Sequence, residues 1–145
     1  GIHGMAGGQV LDLTNTQKDN TTLELTHALK TGALLKACVE IPALLSCSDQ
    51  PTIDVLTEFG KNLGLLFQMV DDVLDVTQLS TTLGKTANKD VDQQKLTYVS
   101  CYGLDKTRLL IASVESTCYD QLNHCTHFNT SLLKEFVALI VTRTH

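Results

Sequence analysis

Apolar residues recur three and four positions apart along this chain, and no Val, Ile or aromatic run alternates with period two. That spacing predicts helices nearly throughout. Thr21 or Thr22 followed by Glu24 resembles a helix start, and Leu25, Ala28, Leu29 and Gly32 through Leu35 continue one face. Pro42 falls inside that pattern and is expected to end or kink the helix, because an interior proline costs ~3 kcal/mol. Residues 46–51 make the next break, with Pro51 placed for a first helical turn. A long helix is then predicted from about Thr52 to Val76. Its apolar stripe uses Ile53, Leu56, Phe59, Leu63, Leu66, Phe67, Val70 and Leu74. From Thr77 to Gln94 the composition turns polar, with Gly84 and Asn88, and this stretch is assigned to a loop. Shorter helices follow at Tyr98–Tyr102, Asp105–His124 and Ser131–Val141. No internal repeat or linker divides the chain, which predicts one all-α unit.

Composition narrows the functional classes. The 145 residues include 43% hydrophobic and 19% charged positions, as in an ordinary folded domain. With 11 basic against 16 acidic residues the net charge is −5, which argues against a nucleic-acid binder or an anionic-membrane binder. The stretch Leu63 to Val70 is too short to span a bilayer, and the first ten residues lack the pattern of a signal peptide. A cytoplasmic protein with no membrane insertion is therefore expected. Five cysteines without a CxxC spacing fit reduced, mostly buried thiols. Cys118, His124, Cys125 and His127 cluster, but their spacing does not fit a usual structural zinc pattern. The chain opens on Gly1 rather than Met, with Gly4, Gly7 and Gly8 close behind, as though it were the tail of something longer.

The informative stretch is FQMVDDVLDV, residues 67–76. Asp71, Asp72 and Asp75 form D-D-x-x-D, at helical separations of three and four that let all three converge near one side. No Lys or Arg lies between Lys61 and Lys85, so the neutralising charge is expected from outside the helix. Mg²⁺ suits such a turn, since it takes carboxylate oxygens and shares itself with substrate phosphates. Lys30, Thr31 and Gly32 place a cation and a hydroxyl inside an otherwise apolar helix, and a mid-helix Gly often marks a close approach. Gly84, Lys85, Lys89 and Lys95 suit a phosphate-covering loop. Together these features point to a diphosphate site in an apolar helical bundle able to hold a greasy tail.

At this point four ordered blocks carry a strong resemblance to the trans-isoprenyl diphosphate synthases, and most closely to the bacterial farnesyl (geranyl) diphosphate synthases. GIHGMAGGQVLDL (1–13) resembles their GMxxGQxxDL segment, and HALKTGALLKACVEIPALLS (27–46) their Lys-Thr-Gly-Ala-Leu helix. FGKNLGLLFQMVDDVLDV (59–76) resembles the second aspartate-rich motif, and LGKTANKDVDQQKLTYVS (83–100) the loop that follows it. The resemblance implies the C-terminal half of an all-α, isoprenoid-synthase-type helical bundle, usually a homodimer. It implies Mg²⁺, with Mn²⁺ as a substitute, held by Asp71 and Asp75 with Asp72 in support. It places Lys30, Lys85 and Lys95 on or near the allylic diphosphate, Thr31 and Gln68 against the reacting carbons, and Phe67 on the isopentenyl side. The implied reaction joins isopentenyl diphosphate to an allylic diphosphate, dimethylallyl or geranyl, releasing diphosphate and giving farnesyl diphosphate or a similar short product.

Asn88 and Val99 depart from the family pattern and bear on the geometry of the loop. The first aspartate-rich motif and its arginine pair are absent; Arg108 and Arg143 are the arginines present. The 145 residues are accordingly expected to form half of one domain and to be inactive alone. The competing expectation is a non-catalytic diphosphate-binding or partner subunit.

Overall fold

The computed structural model describes residues 1–14, 20–46, 48–82, 96–126 and 128–143. Among the described residues every regular element is helical. They are α1 (Met5–Thr14), α2 (Asn20–His27), a π-helical turn (Ala28–Gly32), α3 (Ala33–Leu45), α4 (Gln50–Thr82), α5 (Tyr98–Tyr102), α6 (Leu104–His124) and α7 (Ser131–Thr142). The π turn joins α2 to α3 with αR backbone at both ends, so the run from Asn20 to Leu45 is one continuous helix.

The central element is α4, against which α3, α5, α6 and α7 pack. Phe59, Leu63, Leu66, Met69, Val70 and Val73 on α4 are all but fully buried. They meet Leu23, Tyr98, Ile111, Cys118, Leu122, Val137 and Ile140 in a single core. Burying each large apolar side chain stabilises the fold by roughly 1.5–3 kcal/mol. Met69 and Val73 lie outside the stripe expected from spacing, and they are buried because neighbours surround α4 on several sides.

Four boundaries differ from expectation, each for a local reason. Helix α1 forms in a stretch to which no element had been assigned, and its glycines let the backbone pack closely: a Cβ on Gly8 would lie 2.2 Å from the Lys30 nitrogen. Pro42 sits inside α3 without ending it. It and Cys38, whose carbonyl loses its helical partner, are both exposed, and water can satisfy that carbonyl. Helix α4 begins two residues early, at Gln50, since the Asp49 carboxylate caps it by accepting from the Thr52 amide at 3.2 Å. It also runs on to Thr82, into the first part of the stretch assigned to a loop, whose remaining residues lie outside the described ones. The Thr77 hydroxyl donates to the Val73 carbonyl at 2.9 Å, which suits a polar residue to a helix interior.

Candidate active site

Helical phase sorts the site residues of α4 into two rows. Phe67, Asp71 and Asp75 succeed one another at four-residue intervals, while Gln68 and Asp72 form the neighbouring row about 100° round the axis. The second row faces the interior: Gln68 and Asp72 are both buried. The Asp72 carboxylate accepts the Tyr98 backbone N–H at 2.7 Å. A buried carboxylate is costly unless it is hydrogen-bonded, and here it satisfies an amide in the first turn of α5, which has no partner within its own helix. The expected convergence of all three aspartates is therefore not what the structure places here. Among the described residues no group of three His, Cys, Asp or Glu side chains is arranged to share a metal ion. Asp75 is exposed and Asp71 partly so.

The outside charge anticipated for this turn comes from the other end of the sequence. Arg143 directs Nη2 to Asp71 Oδ1 at 3.0 Å, and its guanidinium lies 5.2 Å from the centre of the Phe67 ring. Spacing along the sequence gave no sign of this pairing, since 72 residues separate the two partners.

The π turn, which packs against both α1 and α4, carries Lys30 and Thr31. A π turn widens the helix by one residue and is frequent at functional sites. Lys30 Nζ contacts Asp12 Oδ2 of α1 at 2.6 Å, and both are partly buried. Asp12 was within a quoted motif but had no assigned role. Two close backbone approaches seat this segment on α4: a Cβ on Gly64 would lie 2.5 Å from the Gly32 Cα, and one on Gly60 would lie 2.7 Å from the Lys36 Cα. Both contacts share one antiparallel register between α4 and the run from the π turn into α3. The structure thus seats the π turn that carries Lys30 and Thr31 against α4 at Gly64. Lys85, Lys89, Lys95 and Asn88 lie outside the described residues.

Behind Asp72, an aromatic group ties the two segments together. The rings of His27 and Tyr98 are 5.6 Å apart, and those of Tyr98 and Tyr102 are 6.0 Å apart and stacked. Burial, and then the negative charge of Glu24, hold the Tyr98 hydroxyl well above its ordinary range. Tyr98 therefore acts as a packed neutral ring rather than as a base. Thr97 caps α5 reciprocally with Ser100, at 3.0 and 2.9 Å. Among the described residues the cysteines play no visible part: Cys118 and Cys125 are buried, Cys101 is partly so and Cys38 is exposed. Burial and then Glu115 push the Cys118 thiol up to about 12. His127 and Cys47 are outside the described residues.

Comparison with known proteins bears on this arrangement. The polyprenyl synthetase family description matches residues 1–128. A chloroplastic geranylgeranyl pyrophosphate synthase 7 of Arabidopsis thaliana is 38% identical over 96% of this chain and 41% of its own length. The farnesyl diphosphate synthase of Micrococcus luteus is 36% identical over 99% of this chain and 50% of its own. A geranyltransferase from Helicobacter pylori, solved with magnesium and isoprenyl diphosphate, superposes with a TM-score of 0.74 at 29% identity, covering 99% of this chain and 47% of that one. This chain thus spans about half the length of the proteins it matches. By sequence match and by an all-helical architecture, the chain belongs to the polyprenyl synthetase family, as the four ordered blocks had indicated.

Proposed function

We propose that these residues are the C-terminal half of one polyprenyl synthetase domain, residues 1–145, and that the whole enzyme is a prenyltransferase. It condenses isopentenyl diphosphate with an allylic diphosphate, dimethylallyl or geranyl, to make farnesyl diphosphate or a similar short-chain product. The observation that carries this is the pairing of two helical segments. The glycine contacts seat the π turn that carries Lys30 and Thr31 against α4 at Gly64, about two helical turns before Asp71.

The donor chemistry fits Mg²⁺. Asp71 and Asp75 offer hard carboxylate oxygens on one solvent-reaching row, and such a cation needs only one or two carboxylates when a substrate phosphate supplies the rest. Asp72 supports the turn from inside by its bond to Tyr98. When bound, Mg²⁺ neutralises charge developing on the departing diphosphate.

The remaining work falls to the chain's own groups. Lys30 binds diphosphate oxygens as a point charge, oriented by Asp12. Lys85 and Lys95, by the family resemblance, add charge to the same diphosphate. The Thr31 hydroxyl and Gln68 amide direct their dipoles at the allylic carbons as positive charge develops there. Phe67 lines the isopentenyl side. The carbon–oxygen bond to diphosphate breaks, the double bond of isopentenyl diphosphate attacks the allylic cation, and the proton then lost passes to the released diphosphate. The same reading has the whole enzyme working in the cytoplasm as a homodimer. Among the described residues no helix is long and apolar enough to cross a membrane.

The test is Asp71→Ala in the full-length protein. Mg²⁺-dependent condensation should fall by at least about a hundredfold, on the scale of losing one preorganised electrostatic contact, with the circular dichroism spectrum unchanged. Near-normal turnover would overturn the role given to Asp71, whereas no condensation by the unaltered full-length protein would favour a non-catalytic partner subunit.

A further inference from the structure

The carboxylate turn carries its own counterion. Arg143 follows the last residue of α7, and Val137 and Ile140 anchor that helix in the core. Its backbone N–H still bonds the Ile140 carbonyl at 3.4 Å, so the side chain springs from a rooted helix end. Phe67 and Asp71 are one turn apart on α4, and a single guanidinium spans both: Nη2 reaches Asp71 Oδ1 at 3.0 Å while its carbon lies 5.2 Å from the ring centre. Arginine suits this double contact, because its planar cation stacks on an aromatic face and donates in the same plane. A carboxylate with another one turn further on gains from such a partner, since like charges at that spacing repel.

We propose that Arg143 is a latch on Asp71, and that guanidinium and divalent cation exclude one another at its carboxylate. This rests on the reading of Asp71 as a metal ligand. In the cation-free protein the latch occupies the oxygen that the cation would take, so the apparent affinity is lowered by the fraction of molecules in which it is closed. Release needs only rotation about the arginine side chain, since α7 stays packed. An exposed ion pair and one ring contact are each weak, so the effect amounts to about threefold to tenfold in affinity.

The test follows Mn²⁺ binding to the full-length protein by electron paramagnetic resonance, with no diphosphate present. Arg143→Gln should tighten Mn²⁺ binding about threefold to tenfold, and Phe67→Leu, which removes only the ring, by a smaller factor. Asp71→Asn should weaken binding, and in that background Arg143→Gln should change nothing further. If Arg143→Gln leaves the affinity unchanged while Asp71→Asn weakens it, the latch is overturned and Asp71 keeps its role in the metal site. If Asp71→Asn also leaves it unchanged, Asp71 is not a ligand and both readings fall.

Discussion

Asp71 and Asp72 are adjacent and chemically identical, yet they do different work because α4 turns them about 100° apart. One reaches solvent and meets a guanidinium; the other is buried and holds the first turn of α5. Both aspartates were found from spacing, but spacing cannot say which of them packing will enclose. Burial also decides the behaviour of Cys118. In the fold its thiol is pushed up to about 12 from an ordinary value of 9.0, so the folded state holds that proton more tightly than the unfolded chain. The resulting stabilisation is complete below pH 9.0 and fades as pH rises toward about 12. Urea midpoints should therefore fall more steeply between about pH 9 and pH 11 for the native chain than for Cys118→Ala. The difference in slope is at most about 1.4 kcal/mol per pH unit. Parallel slopes would exclude a contribution from this thiol.

At the scale of elements, glycine placement decides how the two functional segments meet. A Cβ on Gly64 would lie 2.5 Å from the Gly32 backbone, whereas one on Gly32 would meet only the His27 carbonyl, at 3.5 Å. The two sides of this contact should therefore respond differently to alanine. Gly64→Ala gains about 1 kcal/mol of helix propensity but forces α4 away from the π turn, and overpacking of that kind costs about 1–3 kcal/mol. It should destabilise overall, whereas Gly32→Ala should be neutral or stabilise by up to about 1 kcal/mol. Urea unfolding of the two variants checks this, and equal effects would mean that the interface adjusts freely. The sequence marked Gly32 as a site of close approach, but its partner Gly64 was inconspicuous within a long apolar helix. Nor did the sequence reveal the π turn, because one extra residue in a helical turn leaves the apolar spacing almost unaltered.

For the molecule as a whole, apolar residues are distributed unevenly. Met5, Val10 and Leu13 on α1, Leu25 on α2, and Leu34, Ile41, Leu44 and Leu45 on α3 are exposed, with Leu45 at 80%. Leu109 on α6 and Leu132 and Leu139 on α7 are exposed as well, so apolar surface is left uncovered around the core. The 145 residues alone should therefore show no condensation activity, and should bind a hydrophobic dye more strongly than the full-length protein does. Robust turnover by this chain would overturn the half-domain reading.

What the sequence determined by itself was local and periodic. It specified helices, the long central one and the small α5, along with the carboxylate turn and the Lys30–Thr31 turn, because each is written in residues a few positions apart. Four ordered motifs also sufficed to identify the family. The tertiary structure decided which carboxylate turns inward, which glycines touch, and that Arg143 pairs with Asp71 and Asp12 with Lys30. Those outcomes depend on the packing of helices distant in sequence, and residue spacing along one helix carries no information about its neighbours.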